Sequence, residues 1–109
     1  MKTLVALALM LVAVSTAAVA GEIYGTIQEQ GKPVKDGVKV TVTCGEKSAA
    51  AQTDKNGAYR LFAAEEGKCT LTVQVGAEAP SVAIHSYADS ARYNLVLEKK
   101  DGKYTLRSE

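Results

Sequence analysis

VKVTVTC, residues Val38 to Cys44, decides how the rest of this chain is read. Val38, Val40, Val42 and Cys44 alternate with Lys39, Thr41 and Thr43. Successive side chains of a strand point to opposite faces, so a strict period of two describes a strand with one buried and one wet face. The β-branched residues that fill the run suit the same conformation. A second run repeats the pattern: Cys69, Leu71, Val73 and Val75 alternate with Thr70, Thr72 and Gln74. Each cysteine falls on the apolar parity of its own run. Both are therefore expected to point inward, where a bridge could cross the core.

Outward from these two runs the rest of the chain reads the same way. Tyr59, Leu61 and Ala63 alternate with Ala58, Arg60 and Phe62. Ile23 and Ile27 flank Gly25, with Tyr24 and Thr26 facing the other way. Val82 and Ile84 alternate with Ala83 and His85, and Tyr93, Leu95 and Leu97 with Asn94, Val96 and Glu98. Tyr104 and Leu106 close the chain. Turn residues separate the runs: Gln30-Gly31-Lys32-Pro33, Asp36-Gly37, Asn56-Gly57, Glu65 to Lys68, Gly76 to Pro80, and Asp101-Gly102. Asn-Gly and Asp-Gly suit type I′ turns, which need positive φ at both central residues. Asp101-Gly102 is the clearest hairpin signal. Residues 46–52 have helix-forming composition, but the spacing between Cys44 and Asn56 favours a strand over Ala49 to Thr53. Tyr87 to Arg92 is too short to count as a helix. Seven or eight short strands at near-regular spacing define an all-β sandwich or barrel.

The first twenty residues belong to another category. Lys2 precedes an apolar run from Leu4 to Val14, and Ala18-Val19-Ala20 stands before Gly21. Basic start, short apolar run and small-residue site are the order of a secretory signal peptide. The run is shorter than the roughly 20 residues of a membrane span. The expected organisation is a signal peptide over 1–20 and one domain over 21–109, exported to a periplasm or secreted, with a bacterial periplasm favoured. Without Lys2 the remaining chain carries 12 basic and 12 acidic residues. That balance, with no basic stripe, speaks against nucleic acid as a partner, and no membrane insertion of the mature chain is expected.

Export places the two cysteines where disulfides persist. Two cysteines allow one intramolecular pairing, Cys44 to Cys69. A loop of that length is worth roughly 3.5 kcal/mol by chain-entropy arithmetic. The alternatives are a redox pair, which would usually be C-x-x-C, or a metal site, which needs more ligands than two cysteines and the single His85.

Three segments in order carry a family resemblance: GKPVKDGVKVTV (Gly31 to Val42), TDKNGAYRL (Thr53 to Leu61) and EGKCTLTV (Glu66 to Val73). Together they resemble the carboxypeptidase regulatory-like domain, a transthyretin-like or prealbumin-like β-sandwich, over about Glu22 to Val75. Cys69 stands where that family usually has an aromatic, and Glu66 where it often has proline. The resemblance implies a single Greek-key sandwich of about seven strands and does not imply catalysis. The module occurs as an accessory domain beside peptidases, in outer-membrane receptors and in surface proteins. Related sandwiches bind starch or serve as adhesin stalks.

Few residues suggest chemistry. In TDKNGAYRLF, Asp54 can accept backbone N–H bonds across a turn, and Asn56 and Gly57 can take positive φ. This predicts a structural corner at Asp54, Asn56 and Gly57 and no metal, since a calcium loop would bring several carboxylates at close spacing. His85 has outward parity and no nucleophile elbow near it. Glu65 and Glu66 are adjacent, so on a strand they would point to opposite faces and could not flank one glycosidic bond. The five tyrosines and one phenylalanine divide by parity. Tyr59, Tyr93 and Tyr104 are expected in the core. Tyr24, Phe62 and Tyr87 have outward or uncertain parity and form a candidate carbohydrate or partner patch.

The function expected from the sequence is therefore a non-enzymatic interaction or structural module without a cofactor. Its partner would be a protein bound at a strand edge or apolar patch. The alternative is a carbohydrate-binding module of the starch-binding-like type.

Overall fold

Ten strand segments occupy residues 21–109, the part of the chain that the computed structural model describes. The expected signal peptide over 1–20 lies outside the described residues.

β1 (Glu22–Glu29) is central to the first sheet. One of its edges pairs antiparallel with β5 (Ala58–Phe62) and, at its end, with β2 (Lys32–Pro33). Along its other edge run two parallel partners, β8 (Ala91–Arg92) and β9 (Leu95–Lys100). β10 (Lys103–Ser108) extends this side, antiparallel to β9. The second sheet has the order β4 (Lys47–Gln52), β3 (Lys39–Cys44), β6 (Gly67–Val73), β7 (Ser81–Ser86). The fold is an all-β sandwich. The period-two runs supply its two inner faces: Ile23, Ile27, Tyr59, Leu61, Leu95, Leu97 and Leu106 from one sheet meet Val40, Val42, Leu71, Val73 and Ile84 from the other.

Turns behave as their residues dictate, with two exceptions. Asp101 (φ 50°) and Gly102 (φ 81°) close the β9–β10 hairpin, and Gln30 (φ 55°) and Gly31 (φ 77°) close β1–β2. Positive φ at both central residues matches the right-handed twist of the strands they join. The first is the stretch with helical composition, a strand as its spacing favours but with earlier bounds than Ala49 to Thr53. Gly45 (φ 64°) opens a two-residue loop from Cys44 to Lys47, so β4 begins two residues before Ala49. Ala49 and Ala51 then pack on the core, and burial overrides helix propensity. The second is Asn56-Gly57. Only Gly57 takes positive φ, 74°, and the turn is no hairpin: it carries the chain from β4 in one sheet to β5 in the other.

Cys44 and Cys69 form a disulfide. It does not cross between the sheets. β3 and β6 are antiparallel neighbours with Thr43 opposite Thr70, and the cysteines continue that register at a Cα separation of 4.3 Å. Both side chains do point inward and are buried, but parity says nothing about which sheet a strand joins.

Gly25 accounts for the interruption between β8 and β9. A Cβ there would lie 2.0 Å from the carbonyl oxygen of Tyr93, so only glycine admits that backbone. The buried Tyr59 hydroxyl donates to the same oxygen at 2.7 Å. The Tyr93 hydroxyl in turn accepts from the His85 N–H at 3.0 Å and donates to the His85 carbonyl at 2.9 Å. A side chain thus satisfies one N–H and one carbonyl on the outer edge of β7, at the end of its sheet.

Candidate functional site

Because Ile23, Gly25 and Ile27 face the core, Glu22, Tyr24 and Thr26 face outward on the central strand. Register fixes what stands beside them. Arg60 of β5 lies opposite Tyr24 on one side, and Arg92 of β8 lies opposite it on the other. Phe62 lies opposite Glu22, and Ala58 opposite Thr26. Asn94 reaches Thr26 from the break after β8: its Oδ1 accepts from the Thr26 N–H at 3.2 Å and from the Thr26 hydroxyl at 3.4 Å. An open groove of about 590 Å³ runs over this face, past Tyr24, Thr26, Arg60, Arg92 and Asn94, to Gln52 and Asp54 at the β4–β5 corner. Its size is that of an ordinary small-ligand site.

The polar groups of the groove differ in how far they are already engaged. Glu22 accepts from the Ser90 hydroxyl at 2.9 Å and is ion-paired with Arg60. The Ser90 hydrogen bond, with help from Arg60, holds its carboxyl below the usual carboxylate range. Asp54 Oδ1 accepts from the backbone N–H groups of Asn56 at 2.8 Å and Ala58 at 3.0 Å, an Asx turn. The Arg92 guanidinium lies over the Tyr24 ring, 5.4 Å from its centroid, in cation–π geometry. Among the described residues the salt bridges are Arg60–Glu22 and Arg107–Glu98, so Arg92 has no carboxylate partner there.

Of the three aromatics singled out from parity, Tyr24 lines this groove. Phe62 shares its face one register step away and is 53% exposed. Tyr87, also exposed, packs instead on the imidazole of His85 from the other sheet, with ring centroids 4.5 Å apart. His85 points outward as its parity predicts. Asp54, Asn56 and Gly57 form the corner, and Asp54 additionally lines the groove. Among the described residues no group of three His, Cys, Asp or Glu side chains could hold a metal ion. Nor is any helix there long and apolar enough to cross a membrane.

Sequence reasoning missed Glu22, Gln52, Arg60, Arg92 and Asn94. Parity alone could have put Arg60 beside Tyr24 on an outward face. Nothing local could have brought Arg92 or Asn94, because a parallel pairing with β1 supplies them.

Fold and groove together make a β-sandwich with an open, polar groove on the outer face of one sheet. No protein-family model matches the chain, and neither does any curated protein. Solved structures do resemble it. One is a DUF3823 family protein from Parabacteroides merdae ATCC 43184, with a TM-score of 0.57, 15% identity, and coverage of 74% of this chain and 46% of that one. Another, from Bacteroides uniformis ATCC 8492, is described as a candidate carbohydrate binding protein; its TM-score is 0.55 with 14% identity, over 81% of this chain and 53% of that one. The chain spans about half the length of each. Likeness at these identities is one of fold.

Proposed function

We propose that this chain is an exported, non-enzymatic sugar-binding module of the carboxypeptidase regulatory-like type, acting in a periplasm through the groove over Tyr24. The observation that carries this reading is the Arg60–Tyr24–Arg92 row with Asn94 beside it. An open groove in which Arg92 is stacked on Tyr24, with Arg60 and Asn94 beside it, offers planar polar groups to the hydroxyls and ring substituents of a sugar. Oδ1 of Asn94 is fixed as acceptor by the Thr26 N–H, which leaves its amide nitrogen to donate. The carbohydrate binding suggested for the Bacteroides uniformis protein of similar fold agrees with this reading.

The experiment is a glycan array probed with the protein, followed by titration of the best glycan against Tyr24→Ala and Asn94→Ala. Each variant is expected to weaken binding about tenfold or more. A glycan bound equally well by both variants, or no glycan bound at all, would sink the groove as the site.

One observation favours a second reading, a protein partner. Phe62 is exposed on β5, which pairs with β1 and forms an edge of its sheet. An extended segment could add to that edge. In that case Phe62→Ala would abolish capture of the partner, while Tyr24→Ala would leave it intact.

A further inference from the structure

Donors and acceptors are unevenly committed in the groove, and the imbalance bears on the kind of sugar it suits. Both of its carboxylates are engaged: Glu22 by Ser90 and Arg60, Asp54 by two turn N–H groups. Arg92 is not engaged by any carboxylate among the described residues. Its guanidinium rests on the Tyr24 ring, which steadies the plane while leaving the N–H fork at its edge open. Asn94, whose oxygen is spent on Thr26, offers a second donor. A neutral sugar laid flat on Tyr24 would compete with Arg92 for the ring. A carboxylate meeting the edge of the guanidinium displaces nothing and forms a planar, bidentate, charge-assisted pair.

We infer that the groove takes a carboxylate-bearing sugar, a uronic acid unit of an acidic glycan, with Arg92 as its fork and Asn94 as an adjoining donor. This rests on the carbohydrate reading above and names the ligand class within it. Tyr24 then serves as the support that holds Arg92 in place.

Calorimetric titration of the protein with tetragalacturonate, with its carboxyl-reduced neutral counterpart, and with an N-acetylated tetrapeptide bearing a free C-terminal carboxylate tests this. The uronate is expected to bind about tenfold or more tightly than the neutral oligomer, and to weaken as salt rises. Arg92→Gln should erase that preference, and Arg92→Lys, which keeps the charge without the fork, should restore only part of it. Arg92 is exposed, and thermal melts of both variants will verify that they remain folded. Equal binding of the uronate and neutral oligomers, unchanged in Arg92→Gln, would overturn the acidic-sugar inference and leave the carbohydrate reading standing. Tetrapeptide binding as tight as the uronate would overturn it in favour of carboxylate recognition without a sugar. If neither oligomer binds, the acidic-sugar inference falls, and the glycan array alone decides whether the carbohydrate reading falls with it.

Discussion

Two inward-facing residues set opposite limits on what the core accepts. Gly25 cannot gain an atom, because the Tyr93 carbonyl occupies the space a Cβ would need. Ser86 can lose one: its hydroxyl is buried with no hydrogen-bond partner among the described residues. An unsatisfied buried hydroxyl costs on the order of 1–3 kcal/mol, so removing it relieves a penalty. Gly25→Ala is expected to lower stability by about 2–3 kcal/mol, in the range of overpacked cores, and Ser86→Ala to leave it unchanged or raise it by about 1 kcal/mol. Urea midpoints of the two variants should therefore move in opposite directions. A Gly25→Ala midpoint equal to that of the parent would mean the β8–β9 break is not tied to the missing side chain. At this scale parity was legible: Tyr24, Phe62 and His85 face outward as their places in their runs require.

Among the elements, β3 and β6 carry the most regular alternation, and they are the pair the disulfide joins. Closing a loop 25 positions long restricts the unfolded chain. The double variant Cys44→Ala, Cys69→Ala is expected to cost about 3 kcal/mol. Reductant should lower the urea midpoint of the parent protein and leave that of the variant unchanged. A parent midpoint insensitive to complete reduction would show that sheet pairing alone holds β3 to β6. Element boundaries were less legible than parity. β4 has helix-forming composition; spacing favoured a strand over Ala49 to Thr53, and pairing with β3 sets its bounds at Lys47–Gln52 instead. Asn56-Gly57 carries a hairpin signal, yet it turns the chain between sheets. Its local chemistry, an Asp54 oxygen accepting two N–H groups, serves either purpose.

For the whole molecule, Tyr59 links the core to the groove wall. Its hydroxyl is buried against the Tyr93 carbonyl, and burial first, with the neighbouring Tyr93 second, pushes its acidity well above the ordinary tyrosine value of 10.0. In the unfolded chain the proton leaves near pH 10, whereas in the folded chain it stays. Tyr59 therefore contributes stability that is fully present below pH 10 and is lost as pH rises above it. Unfolding free energy measured from pH 8 upward should fall beyond about pH 10, and fall less steeply in Tyr59→Phe. Parallel curves for the two proteins would remove Tyr59 as the cause. Below pH 10 the same variant is expected to lose about 1 kcal/mol, the worth of its hydrogen bond.

Strand content, the face each side chain takes, the positions of the turns and the inward aim of both cysteines were determined by the sequence. Each depends on neighbours a few residues away along the chain. Which strands lie side by side was decided by the tertiary structure alone. Parity assigns a face but neither a sheet nor a partner, so an inward cysteine reads the same whether its bridge crosses the core or stays within one sheet. The groove is the clearest instance. Tyr24 was visible as an outward aromatic, but Arg92 and Asn94 reach its groove only because the chain through β8 runs parallel beside β1, where Thr26 meets Asn94 from 68 positions away. Such pairings follow from burying two apolar faces against each other, and no local pattern encodes them.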